Sequence, residues 1–96
     1  MSDQQGASWL KISFSCPETT LEAAADVLGV LSGSGVEQTP EKDGTSIVTG
    51  FFQLDQESTQ QDVLRTVDQE LGQLFTVYGL PRPELSTSTM QDEDWA

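Results

Sequence analysis

The chain offers few side chains for acid–base or nucleophilic chemistry. Its 96 residues include no histidine, which is the commonest general base and the commonest neutral metal ligand in proteins. Cys16 is the single cysteine, so it has neither a histidine to activate it nor a second thiolate with which to bind zinc. We therefore interpret Cys16 as a small structural residue. We expect no catalytic residue and no metal site in this chain.

Three glycines in the stretch GVLSGSG raise the question of a cofactor loop. Loops that bind dinucleotides or S-adenosylmethionine place their glycines after a strand and before a helix. Gly29, Gly33 and Gly35 instead follow a predicted helix and precede a predicted strand, so the end of a helix explains them better. The GxxxxGK[ST] phosphate loop is also missing from the sequence. We expect no cofactor-binding residue here.

The acidic run Asp92, Glu93 and Asp94 is followed by Trp95. The run lacks the spacing of a calcium-binding loop and its bidentate glutamate, so we interpret it as a solvated acidic segment. A tryptophan contributes a few kcal/mol when it is buried. Trp95 beside three acids therefore suggests a contact with a partner or a neighbouring domain, although stray residues are also tolerated near chain ends.

The charge of the chain is strongly unbalanced, with 16 acidic residues against four basic ones and a net charge of −12. Such a chain repels the phosphate backbone of nucleic acids, which proteins bind through lysine and arginine. Nucleic acid and anionic membrane are therefore poor partners, and a basic protein is a good one. The same acidity is also compatible with a role in solubility alone.

The cellular compartment of the protein and the state of its first eight residues can also be predicted from the sequence. A lone thiol suits the reducing cytosol, and the polar segment 1–8 has no apolar core of a signal peptide. No apolar run approaches the ~20 residues that a membrane-spanning helix needs. We predict a cytoplasmic protein whose residues 1–8 form a disordered tail.

Hydrophobic periodicity predicts the element order β-α-β-β-α-β. Residues 9–15 alternate as a half-buried strand, and apolar residues recur at helical spacing over 21–31 and 63–78. Capping boxes at Thr19 and Ser58 are predicted to start the two helices. Asp43-Gly44 is a hairpin dipeptide between a weak edge strand and a strong strand over 46–54. Residues 84–90 can form a last strand.

This order is that of a ferredoxin-like α+β domain over residues 9–90, with a four-stranded antiparallel sheet and both helices on one face. The strand 46–54 is nevertheless apolar on both faces, and Trp9 and Lys11 lie opposite the face that the helices cover. Apolar surface without an internal partner often marks an interaction site. Our candidate contact residues are Trp9, Lys11, Asp92, Glu93, Asp94 and Trp95.

Four short stretches, WLKISF, GVE, GFF and DEDWA, occur in the order and spacing of one family. Together they resemble the N-terminal domain of the bacterial ribosomal protein L-eleven methyltransferases, the PrmA type. The resemblance implies that residues 9–90 recognise a basic ribosomal protein of the large subunit. It also implies that residues 91–96 begin a linker to an absent domain. That domain would bind S-adenosylmethionine and methylate lysine side chains and the N-terminal amine, so this chain alone would not catalyse the reaction.

Two other functions are weighed against this one. A free-standing regulatory module similar to ACT domains would bind a small molecule, but such domains usually carry a glycine between the first strand and the first helix. The corresponding stretch here, SCPETT, has none. An acidic decoy that imitates nucleic acid is disfavoured, because the acidic residues are spread over helices and loops rather than along one surface.

Overall fold

The computed structural model describes residues 8–41, 43–54 and 59–91. The elements are β1 (Ser8–Pro17), α1 (Glu18–Ser32), β2 (Val36–Pro40), β3 (Thr45–Leu54), α2 (Gln60–Val77) and β4 (Ser86–Gln91). The strands form one antiparallel sheet in the order β2-β3-β1-β4. This arrangement confirms the predicted ferredoxin-like α+β fold. The predicted tail and linker, apart from Ser8 and Gln91, lie outside the described residues.

Strand β1 organises the sheet because it pairs on both sides. It pairs over its whole length with β3, from Ser8 opposite Leu54 to Pro17 opposite Thr45. On its other side β4 pairs only with the first part of β1, as far as Ser13 opposite Ser86. The last residues of β1 therefore extend past the start of β4, and the site described below lies at this step.

One face of the sheet carries the core. The alternating residues of β1 and β3 are buried there against both helices, as strand periodicity requires. The core comprises Leu10, Ile12, Phe14, Cys16, Ala24, Leu28, Val48, Phe52, Val67, Leu71 and Phe75. Phe14 of β1 and Phe75 of α2 meet edge to face, with ring centroids 6.2 Å apart and an interplanar angle of 74°. This geometry is favoured by aromatic quadrupoles.

The helix starts differ from those predicted. Helix α1 begins at Glu18 directly after β1, and Pro17 occupies the capping position without a side-chain hydrogen bond. The predicted capping box at Thr19 is therefore wrong, because the helix has already begun there. At the start of α2, the Thr59 hydroxyl oxygen accepts from the Asp62 backbone N–H at 3.2 Å. The cap thus lies one residue after the predicted Ser58, which itself is outside the described residues.

The predicted hairpin is confirmed between β2 and β3. Asp43 and Gly44 both have positive φ, 66° and 73°, which is the backbone conformation of the tight turns that match strand twist. The Gly44 carbonyl oxygen also accepts from the Glu18 backbone N–H at 2.9 Å. The turn is thereby joined to the start of α1, and it fixes the end of the sheet at which β1 stops.

Candidate functional site

The sheet face opposite the helices, which we call the open face, carries the predicted residues Trp9 and Lys11. The register places Gln53 opposite Trp9 and Phe51 opposite Lys11 on β3, and both predicted residues are half-buried. Farther along the same face, the hydroxyl oxygens of Ser13 and Thr49 lie 3.0 Å apart in a hydrogen bond. The open face is therefore mixed, with aromatic and cationic groups at one end and hydroxyl groups towards the other.

A cleft of about 430 Å³ opens at the hydroxyl-rich end of this face. We call it the serine cleft and define it by Ser13, Ser15, Ile47, Glu84 and Ser86. It lies where β4 begins opposite Ser13 while β1 continues to Pro17, so the end of β1 is paired with β3 on one side and is not paired with β4 on the other. Three serines and one glutamate thus line the cleft together with the apolar residues Phe14, Ile47 and Leu85.

A second carboxylate, that of Glu41, is held beside the serine cleft. Its Oε1 accepts from the Ser15 hydroxyl at 3.1 Å and from the Thr45 hydroxyl at 3.1 Å. Its backbone N–H donates to the Thr45 carbonyl oxygen at 2.9 Å. These bonds orient the carboxylate without neutralising it, because hydroxyl groups stabilise the anion and carry no charge.

The segment that carries Glu84 is fastened to α2 two residues earlier, at Arg82. The Arg82 Nη1 donates to Asp68 Oδ2 at 3.0 Å. The guanidinium lies against Gly72, where an added Cβ would come within 2.7 Å of Arg82 Nε. The backbone N–H of Leu80 also donates to the Phe75 carbonyl oxygen at 2.8 Å. Contacts with helix α2 therefore help to position Glu84.

Within residues 8–41, 43–54 and 59–91, no group of three His, Cys, Asp or Glu side chains is placed to hold a metal ion. Cys16 is fully buried, and desolvation by burial raises the pKa of its thiol. A buried thiol of raised pKa is a poor nucleophile, which agrees with the interpretation of Cys16 as a structural residue. The site presents hydrogen-bond acceptors and negative charge.

Sequence reasoning placed the candidate contacts only in part. The structure brings Trp9 and Lys11 together on the open face, whereas Asp92, Glu93, Asp94 and Trp95 lie outside the described residues. The residues of the serine cleft were missed. The alternation of Ser13 and Ser15 with apolar neighbours was a usable signal, but nothing local singles out Glu41 or Glu84 among the other acids.

Among the helices that the structure describes, neither has the length and apolarity required to cross a membrane.

The chain matches no protein-family model and no curated protein. Two solved structures are similar in fold. A de novo designed protein, Foldit4, has a TM-score of 0.64 and 15% identity, over 91% of this chain and 99% of that chain. The C-terminal domain of the MgtC protein from Mycobacterium tuberculosis has a TM-score of 0.56 and 13% identity, over 100% of both chains. At these identities the likeness shows the fold alone.

These findings contradict the resemblance to the ribosomal protein methyltransferases. The similar structures are an MgtC domain and a designed protein, and none of the comparisons points to a methyltransferase recognition domain. The family assignment from WLKISF, GVE, GFF and DEDWA is therefore wrong. The physical reason is that WLKISF, GVE and GFF are short segments of strands β1, β2 and β3 or their borders, and such segments follow from the fold rather than from one family.

Proposed function

We propose that this chain is a non-catalytic binding module that recognises a basic segment of a protein partner at the serine cleft. The observation that carries the proposal is the pairing of Glu41 and Glu84 with three serine hydroxyls at one end of the open face. The cleft-lining residues include no lysine or arginine. A cation that enters therefore meets hydroxyl and carboxylate oxygens and no positively charged lining residue.

A lysine side chain fits this set of groups. Its ammonium group has three donors and no acceptor, and it forms its strongest hydrogen bonds with carboxylates. Its aliphatic stem can pack on an apolar surface while the charged head stays in contact with polar groups. In the serine cleft, Ile47 supplies the apolar surface and Glu84 the charge. The overall charge of −12 would speed the encounter with such a partner.

We place this function in the cytoplasm, because the lone cysteine of the sequence suits a reducing compartment. The alternative, an ACT-like module for a small molecule, gains no specific support. Strand β1 ends at Pro17 and α1 begins at Glu18, so the chain has no intervening loop there in which to enclose a ligand.

The test is a titration of the ¹⁵N-labelled protein with an octalysine peptide, followed by amide chemical shifts. We expect the largest shifts at Ser13, Ser15 and Ser86. Glu84→Gln and Glu41→Gln should each weaken binding about two- to fivefold, the range of an exposed ion pair. Binding should also weaken as the salt concentration rises from roughly 0.05 M to 0.3 M, because salt screens exposed charges.

The matched control is Glu22→Gln, which removes one exposed acid from α1 and leaves the open face unchanged. An equal loss of affinity in this variant would mean that the affinity depends only on the total charge of the protein. Shifts spread over the helices, with none at the serine cleft, would place the binding site elsewhere and overturn the proposal.

A further inference from the structure

The two edges of the described sheet are built differently. The edge strand β2 is short, carries Glu37 and ends at Pro40. Charge and proline are the means by which proteins block the addition of a further strand. The other edge strand, β4, has the sequence STSTMQ with neither charge nor proline. Its residues Ser86 to Thr89 are all exposed.

Strand β4 uses only half of its backbone hydrogen-bonding groups within the sheet. In a strand, consecutive backbone N–H groups point to opposite sides. Strand β1 pairs with one side of β4, and β4 is the last strand in the order of the described sheet. The groups on its outer side are therefore available to water or to another strand.

The surfaces on either side of this edge differ in chemistry. On the helix side, a groove of about 560 Å³ between α2 and β4 includes Leu64, Pro83, Leu85 and Thr87 among its lining residues. Its polar lining residues are Gln61, Arg65, Asp68, Glu84 and Thr87, and Asp68 forms an ion pair with Arg82. On the open face, the same edge borders the serine cleft through Ser86. The groove on the helix side thus includes the apolar residues Leu64 and Pro83, and the serine cleft carries the hydroxyl groups, while Glu84 and Leu85 border both.

We infer that the partner's segment binds as a fifth strand along β4, with apolar and basic side chains in alternation. This inference rests on the proposed function and states how the basic segment is held. Because side chains of a strand alternate between its two faces, one set enters the groove beside Leu64 and Leu85. The other set reaches Glu84. Backbone hydrogen bonds to β4 supply affinity, and the alternating pattern supplies specificity.

Charge argues for a basic partner rather than a second copy of this chain. A pair of β4 strands from two copies would bring together two chains of net charge −12. Strand β4 offers no basic residue to the serine cleft of a neighbouring copy. An extended segment with lysine at every second position supplies the missing charge.

The experiment compares two peptides of identical composition, one with lysine and valine in strict alternation (KVKVKVKV) and one with the residues in pairs (KKVVKKVV). We expect the alternating peptide to bind about tenfold more tightly, because only its side chains match the two surfaces. Amide hydrogen exchange of the outward N–H groups of β4 should slow on binding. Exchange in β2 should not change.

Thr87→Pro and Ser88→Pro test the edge directly. Since adjacent N–H groups point to opposite sides, one of the two substitutions removes an outward donor and leaves the pairing of β4 with β1 intact. Thermal unfolding identifies that variant as the one with the smaller loss of stability. It should lose the preference for the alternating peptide.

The outcomes separate this inference from the proposed function. Suppose that both peptides bind the wild type with equal affinity, bind Glu84→Gln more weakly, and bind the proline variant as tightly as the wild type. The cleft then binds basic chains, but no strand is added to β4. The inference is then overturned alone. Absence of binding by either peptide and by octalysine overturns both. Analytical ultracentrifugation could instead show that the wild type is a dimer and the proline variant a monomer. A second copy of the chain would then occupy the edge, which also overturns the inference.

Discussion

Gly50→Ala is the substitution for which the structure makes the sharpest prediction. Gly50 lies on the helix side of β3, between Ile12 of β1 and Val36 of β2. A Cβ at this position would stand 2.7 Å from Leu28 Cδ2 and 2.8 Å from Leu28 Cγ. Leu28 is fully buried in α1, so it cannot swing into solvent to make room. The helix must lift or the leucine must leave its rotamer.

Two opposing effects decide the size of the change. Replacing glycine by alanine within a strand would by itself stabilise the fold by about 0.5–1 kcal/mol. Overpacking a core of native density costs about 1–3 kcal/mol. With contacts below 3 Å to a branched core residue, overpacking dominates, and we expect a net loss of roughly 1–2 kcal/mol in unfolding free energy. The melting temperature should fall by about 5–10 °C for a domain of this size.

The assay is urea unfolding of four proteins: wild type, Gly50→Ala, Leu28→Ala and the double variant. Leu28→Ala alone should cost about 2–5 kcal/mol. In that background Gly50→Ala should be neutral or stabilising, because the atoms that it would meet are gone. The control is Gly29→Ala, whose Cβ would make only an ordinary 3.4 Å contact with Val36 Cγ2. It should stabilise α1 by about 0.5–1 kcal/mol.

Two results would refute this reasoning. Gly50→Ala could prove as stable as the wild type, which would mean that α1 packs less closely on the sheet than described. The loss could instead persist unchanged in the Leu28→Ala background, in which case the cost would have nothing to do with Leu28.

Two further predictions concern the helix cap and the buried thiol. Thr59→Ala should lower the unfolding free energy by about 1 kcal/mol, because it removes the acceptor of the Asp62 N–H, and Thr59→Asp should restore it in the same urea titration. Burial raises the pKa of the Cys16 thiol, so the unfolded chain loses this proton at lower pH than the folded one. The stabilisation is complete below the unfolded pKa and is lost as pH rises towards the folded pKa. The stability of the wild type should therefore fall relative to Cys16→Ala between about pH 8 and pH 10, and parallel curves would contradict a buried thiol.

The proposed binding site depends on where strands end rather than on any motif. Had β4 extended by two residues along β1, it would cover Ser15, and the serine cleft would not exist. The contacts of Arg82 with Asp68 and Gly72 likewise help to position Glu84 at the cleft. A loop substitution far from any ligand, such as one at Arg82, can thus change recognition through position alone.

Local pattern was sufficient for the elements of this fold. The alternation over 9–15, the helical stripe over 63–78 and the Asp43-Gly44 turn each depend on neighbours in sequence, and each is confirmed. The predicted capping box at Thr19 failed, because the contact of α1 with the hairpin turn starts that helix at Glu18. Tertiary contacts outweigh capping propensities of about 1 kcal/mol.

Composition and periodicity carry the α+β class, the negative charge and the lack of histidine, so these properties follow directly from the amino-acid sequence. Which acidic residues line the proposed site depends on how the strands pair. Glu41 and Glu84 are 43 positions apart by their numbers, and the pairing of β1 with β3 and β4 places Glu41 in a hydrogen bond with Ser15 and Glu84 in the cleft that Ser15 also lines. Short resemblances to a family could not decide this either, since they follow strand ends and turns. A site made by the gap between two strands is a property of register, and register is set by the packing of the whole sheet.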